Sequence, residues 1–267
     1  MKIMVTVKQV PDTSGKVAVN PDGTLDRASM QTITNPDDLN AVEAALKLKD
    51  ETGCEVIVVT MGPPPAEGML REILARGADR AVLVSGREFG GSDTYATSQI
   101  LAAAINRIGV EEDDVVMCGR QAIDGDTAQV GPQIAEKLHL PQVTYAADIH
   151  KDGDTITVKR MLEDGYMTIK VQTPCLLTCI KELNEPRYMS VGGVFEAYSK
   201  PMDVFDYNAL KDDPLIDPTT IGLKGSPTNI LTSFTPPQKG AGMMLDEGDD
   251  KANCEKLASL LAKKHII

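Results

Sequence analysis

Two hydrophobic periods alternate along the first 140 residues of the chain. Runs at 3–10, 55–61, 80–84 and 114–118 are rich in Val, Ile and Leu and end in turn residues. Near-continuous apolar runs suit strands buried on both faces, as in a parallel sheet. The segments between them read as helices. Asn35-Pro36-Asp37-Asp38 is a helix start, with Asn35 as N-cap, Pro36 at the first helical position and acids in the first turn. Ala41, Ala44, Ala45 and Leu48 supply its apolar stripe until Gly53 stops it. Two more helices are expected at 66–76, ended by Gly77, and at 93–108, closed by Gly109. Crossovers of this length build an α/β fold, a doubly wound parallel sheet with helices on both faces.

The pattern changes after Tyr145. Stretches 155–162 and 167–173 alternate sides around Asp164-Gly165, which predicts an antiparallel hairpin. Another strand, 175–180, follows Pro174. From Asn184 onward periodicity fades and prolines accumulate, ending in the pair Pro236-Pro237. A long aperiodic segment is not expected to pack alone and reads as an arm lying on another surface. The last helix, 249–265, sets Cys254, Leu257, Leu260 and Leu261 on one side. The expected organisation is an α/β domain with a hairpin extension over 1–184, an irregular segment over 185–234, and a long C-terminal arm with its helix over 235–267.

Charge narrows the partners. The net charge of −12 argues against nucleic acid and anionic membrane surfaces as ligands. Aromatic residues make up only 4% of the chain, so no base-stacking platform is apparent. No apolar run approaches the roughly 20 residues of a membrane span, and the N-terminus reads as a first strand and not a signal peptide, so a cytoplasmic address is expected. The five cysteines are scattered. Cys175 and Cys179 lie four apart in a strand pattern without a nearby histidine, and the set reads as core residues in preference to a metal site. The three histidines are dispersed and no nucleophile–base pair is suggested, so any chemistry would belong to a bound cofactor.

In a doubly wound sheet, ligands bind beyond the carboxyl ends of the strands. Four segments fall there: 6–12, beginning at Thr6; 61–65, beginning at Met61; Phe89-Gly90-Gly91-Ser92-Asp93-Thr94; and 119–131. The last runs from a strand end through a small polar loop into a helix. Gly125, Thr127, Ala128 and Gly131 would let a phosphate approach main-chain N–H groups at the helix start. Asp124 and Asp126 look unsuited to a phosphate and would cap the helix or take hydroxyls instead. A plain capped loop fits the same residues. Neither GxGxxG nor GxxxxGK[ST] occurs. In the 89–94 turn, two glycines permit close backbone approach while Ser92 or Asp93 caps the next helix; here too a capped turn suffices.

VKQVPD at 7–12, TNPDDLNAVEAAL at 34–46, GADRAVLV at 77–84, GRQAIDGDTAQVG at 119–131 and LNEPRYMSV at 183–191 together resemble the electron-transfer flavoprotein β subunit. VKRMLEDGYMTIKVQTPCLLT at 158–178 is similar to that family's signature stretch, except that Met167 stands where Glu or Gln is usual. The resemblance spans residues 3 to about 245.

The resemblance implies an adenine nucleotide α-hydrolase-like sheet and a heterodimer with an α subunit that carries a redox-active FAD. The β subunit would hold a second nucleotide: structural AMP in the housekeeping branch, FAD in the bifurcating branch. Carried over, the contacts are Thr6, Asn35, Pro36, Asp37, Asp38, Met61, and Ala122, Ile123, Asp124, Gly125, Asp126, Thr127, Ala128, Gln129, Val130, Gly131, Pro132 and Gln133. Phe89, Gly90, Gly91, Asp93 and Thr94 look like a turn typical of bifurcating β subunits, which favours FAD, with AMP as the alternative. NADH would then be the hydride donor, and ferredoxin and the α-subunit FAD the acceptors. Residues 183–197 resemble a recognition loop for acyl-CoA dehydrogenases, and the C-terminal arm would embrace the α subunit. A rival of another class is a stand-alone nucleotide-sensing module.

Overall fold

The structure, a computed structural model, describes residues 1–12, 31–228, 231 and 240–267. Its main element is a nine-stranded sheet in the order β11-β5-β4-β1-β6-β10-β7-β8-β9. The strands are β1 (Lys2–Thr6), β4 (Glu55–Met61), β5 (Arg80–Val84), β6 (Val115–Gly119), β7 (Gln142–Asp152), β8 (Thr155–Leu162), β9 (Gly165–Gln172), β10 (Cys175–Cys179) and β11 (Met202–Phe205). Every neighbour pair from β11 to β7 is parallel, and β7, β8 and β9 are antiparallel. A separate two-stranded sheet joins β2 (Gln9–Pro11) to β3 (Thr32–Thr34).

Helices cover both faces, and side-chain alternation along the strands divides the core accordingly. Ile3, Val5, Val56, Val58 and Met117 pack on one face with α1 (Pro36–Thr52) and α2 (Glu67–Arg76). Met4, Ile57, Val59, Val116 and Cys118 pack on the other with α3 (Thr94–Ile108) and α4 (Val130–Lys137). The expected doubly wound sheet is therefore present. The expected helix ends are also found: Gly53 follows α1 in the left-handed conformation at φ 71°, where a side chain would be strained, and the Asp93 carboxylate accepts the Ala96 N–H at the start of α3.

The hairpin forms with Leu162 opposite Gly165. Beyond it the structure holds elements that periodicity does not reveal. β7 runs parallel to β10 and antiparallel to β8, so it joins the hairpin to the main sheet. The segment after Asn184 contains α5 (Val191–Glu196), β11, α6 (Tyr207–Leu210) and α7 (Gly222–Gly225). β11 extends the parallel sheet beside β5, so this part packs on its own domain. The Pro236-Pro237 pair lies outside the described residues. The last helix, α8 (Asp250–Lys263), has no buried residue. Among the described residues no helix is long and apolar enough to cross a membrane.

Candidate functional site

β1 is the switch point of the sheet. The chain passes from β1 to β4 and β5 on one side, and β6 returns on the other. In doubly wound folds such a reversal marks the crevice where ligands bind, here beyond Thr6 and Gly119. Thr6 is buried at the end of β1, with its hydroxyl beside the Cys118 thiol.

The start of α1 closes the floor of this crevice. Asp38 is 6% exposed, and its carboxylate accepts the N–H of Lys8 at 2.8 Å and of Gly119 at 2.9 Å. Burial lifts its pKa from 3.8 to about 7, against the Lys8, Asn35 and Gly119 donors that favour the charged form. Asn35 occupies the N-cap position without capping its own helix. Its Nδ2 donates to the Gln121 carbonyl at 2.7 Å, and its Oδ1 accepts the Ile123 N–H at 3.1 Å. The cap expected there is thus a strut to a loop far along the chain. Asp37 faces Arg120 across 3.3 Å. Pro36 is exposed at the first helical position.

The loop after β6 leads from that strut into α4. Gly125 and Asp126 donate their N–H groups to the Ala122 carbonyl. Asp126 and Ala128 adopt left-handed backbone at φ 50° and 52°, which costs about 1 kcal/mol or more for each non-glycine residue. Strain of this kind persists where function repays it. The main-chain N–H groups of Thr127, Ala128, Gln129 and Val130 meet no acceptor among the described residues. A run of open amides alternating with left-handed residues suits an anion. The two acids that looked unsuited to this role are occupied. Lys8 Nζ holds Asp124 at 2.7 and 2.8 Å, and Gln121 Nε2 donates to Asp126 at 2.8 Å.

The small residues of this loop do different jobs. A Cβ on Gly125 would meet nothing within 4 Å, so that position stays open. A Cβ on Gly131 would lie 2.5 Å from Cys118 Sγ and 3.0 Å from Thr178 Cγ2, so this glycine lets α4 pack close on β6 and β10. Pro132 and Gln133 are half-buried in the first turns of α4, and Gln133 Oε1 is a buried acceptor without a partner among the described residues.

The turn after β5 joins the site at one point: the Thr94 hydroxyl donates to Gln129 Oε1 at 3.0 Å. The rest of the turn is packed from within the chain. The Phe89 ring sits in the core at 2% exposure. Leu223 N donates to the Gly90 carbonyl, and a Cβ on Gly91 would lie 2.8 Å from Leu223 Cβ. Ser226 Oγ accepts the Asp93 N–H, and Asp93 accepts from Thr228. The close approach at Gly91 is therefore made by Leu223. Met61, half-buried at the end of β4, packs against the core beneath the same edge.

Lys8, Gly119 and Gln121 complete the arrangement; they lie in the 7–12 and 119–131 stretches singled out in the sequence, but are not identified there as individual contacts. Their roles depend on contacts 30, 81 and 5 residues away in sequence. Of the cysteines, 54, 118, 175 and 179 are buried and Cys254 is exposed. Burial pushes the Cys175 thiol up to about 12. A cavity at the opposite, amino end of the sheet, lined by Met1, Gly53, Cys54 and Lys151 among others, is remote from the open amides.

The family model for the electron transfer flavoprotein domain matches residues 22–210. The acryloyl-CoA reductase electron transfer subunit gamma of Anaerotignum propionicum is 69% identical, with all of both chains covered. The caffeyl-CoA reductase-Etf complex subunit CarD of Acetobacterium woodii is 53% identical over the full length of both, and the electron transfer flavoprotein subunit beta of Clostridium acetobutylicum 49%, again over all of both. A doubly wound sheet with an anion-ready loop at its switch point, matched end to end by these relatives, has one family reading: the chain belongs to the electron transfer flavoproteins, as a β-type electron transfer subunit.

Proposed function

We propose that this chain is the β subunit of a heterodimeric, electron-bifurcating electron transfer flavoprotein, with a second FAD held at the crevice between β1 and β6. The observation that carries this reading is the run of open amides at 127–130, beside Asp124, which is paired with Lys8, and Asp126, which accepts from Gln121. Those amides would hold the pyrophosphate, with Thr94 and Gln129 at the rim. Bound flavin would supply the redox chemistry, taking hydride from NADH and passing electrons to ferredoxin and to the α-subunit FAD. The protein's part is to orient the cofactor and keep its phosphates on fixed main-chain donors.

Two exposed apolar surfaces support partners. Tyr188, Val191 and Phe195 are each at least 79% exposed in the 183–197 segment, which is the surface we assign to an acyl-CoA dehydrogenase. Met243 and Met244, before α8, are largely exposed among the described residues and Leu257 on α8 half-exposed, and this surface suits the α subunit. Membership of the family and these bare surfaces weigh against a stand-alone nucleotide module.

AMP is the second reading, and one observation favours it: the close approach at Gly91 is made by Leu223, so that glycine no longer argues for a flavin ring. Counting nucleotides in the purified heterodimer decides between them. Two FAD per heterodimer is the expected result; one FAD with one AMP assigns the chain to the housekeeping branch.

A further inference from the structure

The acids that open α1 look, in sequence, like dipole partners or ligand contacts. Asp38 is buried, and each carboxylate oxygen is taken by one main-chain N–H, Lys8 on Oδ2 and Gly119 on Oδ1. Those two amides belong to the exits of β1 and β6, the strands between which the crevice opens. We propose that Asp38 is a positioning residue that fixes the spacing of these two exits, so that the open amides of 127–130 are aimed at the ligand's phosphate before it arrives. The inference rests on the nucleotide reading above and deepens it.

Three features support the assignment. The fit around the brace is tight: a Cβ on Gly119 would lie 2.4 Å from Asp38 Oδ1 and 2.5 Å from the Asp37 carbonyl carbon. The brace continues one step further, because Asn35 on the same helix end holds Gln121 and Ile123 on the way to the amide run. When ionised, the carboxylate offers both oxygens as acceptors, which an amide of the same size cannot do. Asparagine offers one acceptor and would turn its own NH2 toward the second N–H donor.

The opposite end of the same strands supplies a control. Asp114, fully buried, accepts the N–H of Lys2 at 2.6 Å and of Glu111 at 2.9 Å, tying the entry of β1 to the turn before β6 at the end of the sheet opposite the amides of 127–130. It is the same device without a site.

The test compares Asp38→Asn, Asp114→Asn and Asp126→Arg in the assembled complex, stripped of nucleotide and titrated with FAD and with AMP above pH 7, where Asp38 is ionised. Asp38→Asn should weaken both ligands roughly ten- to hundred-fold, the scale of one lost charge-assisted hydrogen bond. Asp114→Asn should lower the melting temperature while leaving both affinities within about twofold, since its tie is remote from the ligand. Equal ligand losses in the two aspartate variants, or none in Asp38→Asn, would overturn the proposal and leave Asp38 a fold-stabilising group only. Asp126→Arg reports on the nucleotide reading itself: unchanged affinity there removes that reading, and the proposal with it. Should Asp38→Asn fail to accumulate, hydrogen exchange on the native complex decides. The Lys8 and Gly119 amides should be equally protected with and without nucleotide. Protection that appears only on loading would mean that the ligand builds the brace, contrary to the proposal.

Discussion

The two ends of the β1–β6 pair use one device to opposite purposes. At the amino end, Asp114 takes two main-chain N–H groups, and charge then fills the surroundings. Lys2 Nζ reaches Glu111 at 3.0 Å and Asp114 at 3.4 Å, and Lys151 reaches Asp113 at 2.7 Å. At the carboxyl end, Asp38 makes the equivalent tie, yet the next loop leaves its amides unpaired and spends Lys8 on an acid at the rim. A buried aspartate on two amides therefore does not make a binding site. On the proposed reading, the left-handed residues Asp126 and Ala128 in the following loop would make the difference, by turning the amides away from their own chain.

Breaking the tight fit at the carboxyl end should have the largest effect. Gly119→Ala pushes a methyl group into the Asp37–Asp38 backbone, which has no room to yield, and should cost about 3 kcal/mol in denaturant unfolding of the complex. A loss below about 1 kcal/mol would show that the two chain segments separate easily. At the amino end, Asp114→Asn leaves one amide facing an NH2 group and should cost about 2 kcal/mol.

At the carboxyl end stability should also depend on pH, and Asp38 sets the sign. Its folded pKa, about 7, lies above the unfolded 3.8, so the folded chain holds a proton that the unfolded chain releases between those values. That contribution is complete below about pH 4 and is lost as pH rises through 7. Asp37 adds to the upward shift, while the Lys8 and Gly119 amides and Asn35 oppose it. The unfolding midpoint of the native complex should therefore fall more steeply between about pH 4 and 7 than that of Asp38→Asn. Parallel profiles would remove Asp38 as the titrating group. The smallest effect is expected at the rim. Thr94→Val removes a half-exposed hydroxyl bond to Gln129 and should cost about 0.5 kcal/mol, with at most a few-fold weaker nucleotide binding by equilibrium titration.

The sheet was legible in the sequence because its signals are local. Val-rich runs, Gly53, Gly77 and Gly109 as stops, and Asp93 as a cap each act within a turn of themselves. β7 was harder to read. Its burial alternates unevenly, its register shifts between Ala146 and Asp148, and Tyr145 is left-handed, so no clean period of two survives. β11 is four residues at the sheet edge with one partner strand, too short to outweigh Pro201 and its surroundings. At the site, the loop 119–131 was readable from its small residues, but the jobs of those residues were not. Gly131 serves packing against Cys118, Gly91 makes room for Leu223, and Asn35 and Asp38 serve partners more than 25 residues distant. Each of these roles is long-range, and hydrophobic patterning carries no trace of such a pairing.

Helix α1 has one more consequence. Its first turn holds the crevice through Asn35 and Asp38, and its next holds the 184–187 stretch. Asn40 and Asn184 exchange hydrogen bonds there, and the Arg187 guanidinium grips buried Glu43 at 2.9 and 3.1 Å. Asp38 and Glu43 are five residues apart, about 7.5 Å along the axis of a helix that does not stretch. On the proposed reading, the separation between cofactor and docked redox partner would be written into α1 as a fixed gauge. One residue inserted between those positions would turn the far grip by about 100°, detuning the electron path without touching either surface.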